Sequence, residues 1–304
     1  MSEPWAADVE VTVELARALI GEQFPELAPA SIEPLGEGWD NAAFLVGGAY
    51  VFRFPRRSVA APLMAREIAI LPLLAPHLPL AISAPRFAGT ASGAYTWPFA
   101  GYPSFRGSPL SAVELDSRAY VRVATALGAF LRALHGLDAT AAVAAGLIGD
   151  DIGRLDHVER MSKLDGRFAS LSAAGLLADP APLVEFLNAV APRAPRTDRL
   201  TVVHGDLYAK HVMVDAGRMV EGIIDWGDVH YGDPAIDVSI VFEVLPPEAR
   251  DAFADSYGEI DEETWRLARY RAIYHAALVA HYGHRIGNEE LLRAGLTGLH
   301  YAAL

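Results

Sequence analysis

The chain has 304 residues, with 38 acidic and 25 basic side chains for a net charge of −13, 52% hydrophobic residues and no cysteine. Half apolar and 21% charged, it can bury a sizeable core as one large or two modest domains, which excludes a disordered chain. The missing thiols exclude disulfides, cysteine nucleophiles, zinc fingers and iron–sulfur clusters, and the acidic balance argues against nucleic acid as a partner.

Met1-Ser2-Glu3-Pro4 lacks the charged and apolar regions of a signal peptide, and nowhere do 18 apolar residues run uninterrupted. The expectation is a soluble, cytoplasmic protein with no membrane partner, a monomer or a dimer. Val11, Leu15, Leu19 and Ile20 give a helical spacing that Gly21 and Pro25 stop. Residues 31–55 then read as three short strands, separated by a turn carrying Gly36 and Gly38 and by a Gly47-Gly48 hairpin turn. A helix is predicted over 59–74, and two more strands over 85–90 and 94–100. Pro103, Gly107 and Pro109 mark a connector. Beyond it lies a long helix over 113–135, followed by helices near 153–171, 179–190, 234–244, 262–284 and 288–302. Residues 200–226 break that helical run with short β-branched strands around Val202-Val203, Val212–Val214 and Gly222-Ile223-Ile224. The order is a small β-rich lobe over 1–102 and a larger helical lobe over 103–304, an α+β class.

The chemistry concentrates in His204-Gly205-Asp206-Leu207-Tyr208-Ala209-Lys210-His211 and in Ile223-Ile224-Asp225-Trp226-Gly227-Asp228. Phosphoryl transfer needs a carboxylate near the acceptor hydroxyl, metal ligands, and cations on the nucleotide phosphates. A kinase catalytic loop spaces its base and second metal ligand five residues apart, and Asp206 and His211 fall at that offset. Asp225 follows an apolar strand, where such folds place the carboxylate that holds the metal.

His204-Gly205-Asp206, Ile224-Asp225-Trp226 and Gly232-Asp233-Pro234-Ala235-Ile236-Asp237, in that order, resemble the aminoglycoside phosphotransferase family. The resemblance implies a protein-kinase-like two-lobe fold and transfer of the γ-phosphoryl of ATP or GTP, with Mg²⁺, to a hydroxyl-bearing small molecule. It assigns Asp206 as catalytic base, Asp225 as metal ligand, and Asp237 and Asp233 as structural anchors. His211 stands where the family usually has asparagine, and Mg²⁺ prefers oxygen ligands. It is read as a weak or water-mediated metal ligand, as a residue orienting Asp206, or as a sign of a degraded second metal site. A histidine there, together with Val51-Phe52-Arg53-Phe54-Pro55-Arg56-Arg57 and Gly287-Asn288-Glu289-Glu290, is similar to the macrolide phosphotransferase branch.

The same resemblance assigns Arg53 to the nucleotide phosphates in place of the usual lysine, Glu67 as its ion-pair partner, and Gly36 and Gly38 to the loop over the phosphates. The hinge is expected near 99–105, with Trp97, Phe99 and Tyr102 as candidates for the base pocket. The acidic stretch 243–263 and the helix 266–285, with Tyr270, Tyr274, His275, His281, Tyr282 and His284, are candidates for acceptor binding, and solvation or core packing is the plainer reading of both. The acceptor is expected to be an antibiotic, a macrolide or an aminoglycoside. The alternatives are a metabolic kinase of choline, homoserine or a sugar, and a non-catalytic nucleotide-binding protein.

Overall fold

The computed structural model describes residues 7–37, 40–93, 95–190 and 196–304. Helix α1 (Val13–Gln23) starts where the Thr12 hydroxyl accepts the Leu15 amide, and it buries Ala16, Leu19 and Ile20. Strands β1 (Ile32–Glu37), β2 (Asn41–Val46) and β3 (Tyr50–Pro55) form an antiparallel meander. Gly47 and Gly48 close its second turn at φ +59° and +66°, the left-handed pair that a two-residue hairpin needs. Helix α2 (Ala61–Leu74) follows, then β4 (Ala81–Ile82), β5 (Phe87–Gly89) and β6 (Phe99–Pro103).

The first sheet has the order β1-β2-β3-β6-β5. Phe44, Phe52, Phe54, Tyr95 and Phe99 fill its inner face against α1, with Phe54 stacked on Phe99 at 4.6 Å. The strand expected over 94–100 instead begins at Phe99 and runs to Pro103. Ser92 and Tyr95 pair across a tight turn, and Pro98 offers no amide to a ladder. Much of the expected hinge is therefore sheet. Short β4 leaves the first sheet and pairs in parallel with β10 of the second, and Ile70, Leu71 and Leu74 of α2 join the core of the helical region. Residues 58–77 are long and apolar enough, by composition, to cross a membrane, yet they carry Arg66 and the buried Glu67.

The remaining elements are β7 (Ser108–Pro109), α3 (Ser117–His135), α4 (Thr140–Ala144), α5 (His157–Ala173), α6 (Ala181–Val190), β8 (Thr201–Val203), β9 (Val212–Val214), β10 (Val220–Ile223), β11 (His230–Gly232), α7 (Ala235–Val238), α8 (Ile240–Val244), α9 (Pro247–Tyr257), α10 (Glu262–Ile286) and α11 (Glu289–Ala303). Asp116, Asp156, Asp261 and Asn288 cap α3, α5, α10 and α11 through side-chain oxygens. The second sheet runs β4-β10-β9-β7, and β11 pairs with β8. Helix α9 occupies part of the acidic stretch 243–263. Its Glu248, Asp251 and Asp255 are exposed, whereas Glu243 is buried in α8. The fold is the kinase-like two-lobe α+β arrangement. Its helical lobe is built on α10, which packs against α5, α7, α8 and α11.

Candidate active site

The catalytic-loop sequence leaves β8 directly into His204-Gly205-Asp206, and a single buried carboxylate sets its path. Asp237, in α7, accepts the His204 amide at 2.7 Å and the Gly205 amide at 2.9 Å. His135 Nε2 lies 3.3 Å from the same carboxylate. Burial by itself would raise the Asp237 carboxyl, but His135, His204 and the Gly205 amide hold it below the ordinary range. Gly205 adopts φ +88°, and a Cβ there would lie 2.3 Å from the Asp228 carbonyl oxygen, so only glycine fits. His204 Nε2 lies 3.0 Å from the Ile224 carbonyl, and Nδ1 accepts the Asp206 amide at 3.2 Å. This neutral tautomer agrees with burial lowering its pKa.

Asp206 keeps 32% of its side chain exposed, enough to meet a solute. His275, on α10, brings Nε2 to 3.3 Å of Oδ1, and its Nδ1 lies 2.7 Å from Glu243 Oε2. Glu243 Oε1 in turn accepts the Ser239 hydroxyl at 3.3 Å. Burial would raise the Asp206 carboxyl. The hydrogen bond and charge of His275, with the charges of His211 and Arg271, hold it well below the ordinary range. Burial would likewise lower His275, but Glu243 and Asp206 outweigh it and push the imidazole up to about 9.

On the other side, Arg53 spans two carboxylates: Nη1 lies 3.2 Å from Glu67 Oε2 and Nη2 2.8 Å from Asp225 Oδ1. Tyr102 donates to Glu67 at 2.9 Å, and the Arg53 guanidinium lies 5.8 Å from the Tyr102 ring. Burial raises Glu67 against the pull of Arg53. Asp225 is lowered, because Arg53 and His211 outweigh its burial. Asp225 is held at φ +63°, an uncommon backbone state outside glycine that is frequent at functional sites.

His211 Nδ1 lies 2.8 Å from the Asp206 carbonyl oxygen and so carries a proton there. Its Nε2 stands 3.4 Å from Asp225 Oδ2. A bare imidazole nitrogen and a carboxylate oxygen are both acceptors, so a cation or a second proton belongs between them. Mg²⁺ binds through one or two protein groups together with phosphates and water, a requirement this sparse pair fits. No group of three or more such side chains occurs among the described residues.

The structure thus joins Arg53, Glu67, Asp206, His211 and Asp225 in one chain of contacts. Gly36 lies in β1 at φ +143° with open space about it, while Gly38 falls outside the described residues. Trp97, Phe99 and Tyr102 face inward: Trp97 and Phe99 pack with the first sheet, and Tyr102 is 2% exposed on Glu67. Neither Phe99 nor Tyr102 presents a free ring to a base, and Trp97 is half-buried. In α10, Tyr270, Tyr274 and His275 are buried, so they form core between α10, α5 and the catalytic loop and not an open pocket wall. The Glu243–His275 support of Asp206 was not legible as such, because residues 37 and 69 positions beyond Asp206 carry no local spacing signal. Arg154 was also missed. It donates to the Gly205 carbonyl at 3.0 Å and pairs with Asp150 and Asp228. Asp233, read as an anchor, takes a bidentate pair from Arg196 at 2.7 and 2.6 Å.

The model of the phosphotransferase enzyme family matches residues 31–273, four-fifths of the chain, which takes in Arg53, Glu67, Asp206, His211, Asp225 and Asp237 and ends two residues before His275. The chain belongs to this family. Among solved structures, the GDP complex of a variant aminoglycoside 2'-phosphotransferase-IIIa superposes with a TM-score of 0.70 at 24% identity, covering 96% of this chain and 97% of that one. A macrolide 2'-phosphotransferase from Brachybacterium faecium gives 0.57 at 24%, covering 89% and 91%. A viomycin phosphotransferase of Streptomyces vinaceus is 35% identical over 101 residues, 32% of this chain and 35% of its own length. As a phosphotransferase, the chain is an enzyme of the kinase type with a hydroxyl acceptor.

Proposed function

We propose that this phosphotransferase moves the γ-phosphoryl group of ATP or GTP, in the presence of Mg²⁺, to a hydroxyl of a small molecule in the cytoplasm. Residues 1–102 form the lobe that holds the nucleotide, and residues 103–304 carry the catalytic loop and the acceptor. The observation that carries the reading is the placement of Asp206 and Asp225 on opposite sides of His211, at 3.7 and 3.4 Å from its ring nitrogens. One carboxylate is left for an acceptor and the other for a metal.

Asp206 takes the acceptor's hydroxyl proton as the acceptor oxygen bonds to the γ-phosphorus and the bond to the β-phosphate oxygen breaks. The anionic state of Asp206, protected by His275, suits an orienting base in a loose transfer. Arg53 binds the phosphates, with Glu67 fixing one arm of its guanidinium and Asp225 exchanging for phosphate on the other. Asp225 and His211 would hold the metal, which neutralises charge on the transferred group. Gly36, near the end of β1 with open space about it, would face the phosphates.

The names of the similar proteins favour an antibiotic acceptor, a macrolide or an aminoglycoside, which makes this an antibiotic-inactivating kinase. A second reading, a kinase of a small metabolic alcohol, is favoured by the guanidinium groups beside Asp206 described below. Consumption of ATP and GTP with Mg²⁺, measured across macrolides, aminoglycosides and small alcohols, decides the class. Asp206→Ala should lower acceptor-stimulated turnover at least about 10²-fold with nucleotide affinity kept. Equal turnover in that variant removes Asp206 from the role.

A further inference from the structure

Arg271 lies one turn before His275 in α10, so both project from the same face of the helix. It is 7% exposed, and its buried Nε has no hydrogen-bond partner. Its basic neighbours are occupied. Arg154 is taken by Gly205, Asp150 and Asp228, and Arg160 by the Gly153 and Ile152 carbonyls and Tyr274.

The carboxylates that attract Arg271 are occupied as well. Glu243 serves His275 and Ser239, Asp206 serves His275, and no ion pair to Arg271 forms among the described residues. Burial weakens its charge, Arg154 and Arg160 repel it, and Glu243 and Asp206 do not make up the difference, so its pKa falls. Arg167 lies over the Tyr274 ring at 4.8 Å, and its buried Nη1 also lacks a partner.

A buried guanidinium with unused donors is costly unless an acceptor of opposite charge arrives. Arg271 stands one turn of α10 from His275, whose Nε2 lies 3.3 Å from Asp206 Oδ1, whereas Arg53 contacts Glu67 and Asp225.

We propose that Arg271, with Arg167 nearby, receives an anionic oxygen group of the acceptor, a carboxylate or a phosphate, while the acceptor's hydroxyl meets Asp206. This rests on the phosphotransferase reading and deepens its second form, a small metabolic alcohol as acceptor: that acceptor is a hydroxylated anion or zwitterion.

The test titrates the full chain, loaded with ADP and Mg²⁺ to fill the nucleotide side, with glycolate in one arm and inorganic phosphate in the other. Calorimetry should show one saturable site for at least one probe. Arg271→Gln should weaken it about tenfold or more, and Arg271→Lys should recover part of the loss. A rise in melting temperature with ADP shows that each variant is folded. Which arm binds separates a carboxylate from a phosphate. No binding in either arm, or binding indifferent to Arg271→Gln, overturns the proposal. Nucleotide turnover on the same preparations tests the phosphotransferase reading separately: anion binding at Arg271 without acceptor-stimulated turnover refutes that reading and leaves the site standing.

Discussion

Replacing His275 with glutamine tests whether the imidazole between Glu243 and Asp206 is held as a cation. Glutamine can still donate to one carboxylate, but it cannot titrate. In the folded chain burial opposes the charge of His275, yet Glu243 and Asp206 overcome that and hold its pKa up at about 9, against an unfolded value of 6.5. A histidine raised in this way stabilises the fold fully below about pH 6.5 and loses that contribution as pH climbs through about 9. The shift corresponds to roughly 3 kcal/mol at its upper bound. Denaturant unfolding of the wild-type chain and of His275→Gln, at pH 6, 8 and 10, reads the difference as a stability gap that shrinks by most of that amount between pH 6 and pH 10. The activity readout is separate: wild-type kcat should fall above about pH 9 as Asp206 loses its charged donor, and the variant should lack that limb. A gap that stays constant from pH 6 to pH 10 would refute the charged-imidazole argument, and a high-pH limb retained in His275→Gln would refute the coupling to Asp206.

Gly205→Ala should abolish turnover and lower the melting temperature by several degrees, since the new Cβ would meet the Asp228 carbonyl at 2.3 Å with φ at +88°. Activity near that of wild type would show that the catalytic loop can rebuild. Asp237→Ala strips the acceptors from two buried amides and leaves His135 without its carboxylate, so chemical denaturation should show a loss of roughly 3 kcal/mol or more. A loss below about 1 kcal/mol would mean that another group or a water takes over the loop.

The first sheet was legible because its signals are local: alternating apolar residues in β2 and β3, and the glycine pair at 47–48. The catalytic core was legible for a different reason, since His204, Asp206, His211, Asp225 and Asp237 lie within one stretch of 34 residues whose spacings are set by a strand, a loop and a hairpin. Position alone misled at 94–100, where an apolar run containing Pro98 looks like sheet yet enters the strand only at Phe99. The acidic stretch 243–263 misled by composition. One of its carboxylates is buried in α8 on His275, and others are exposed on α9, a difference of placement that charge counting does not contain.

The supports of Asp206 were hidden because they act through tertiary contact. His275 and Arg271 stand on α10 at a spacing that reads equally well as core, and in burial they are core, at 4% and 7% exposed. What sets them apart is the accounting of donors and acceptors. His275 is satisfied at both nitrogens by carboxylates, while the equally buried Arg271 beside it has an orphaned Nε. A chain that only needed to fill the space between α10 and the catalytic loop could do so with an apolar side chain at less cost. Two cations set one turn apart against a single base have a purpose in charge: one keeps Asp206 anionic, and the other keeps donors in reserve beside it. The face of α10 thus carries one cation that supports the base and a second with a donor to spare, just as Arg53 divides its own donors between Glu67 and Asp225 on the nucleotide half.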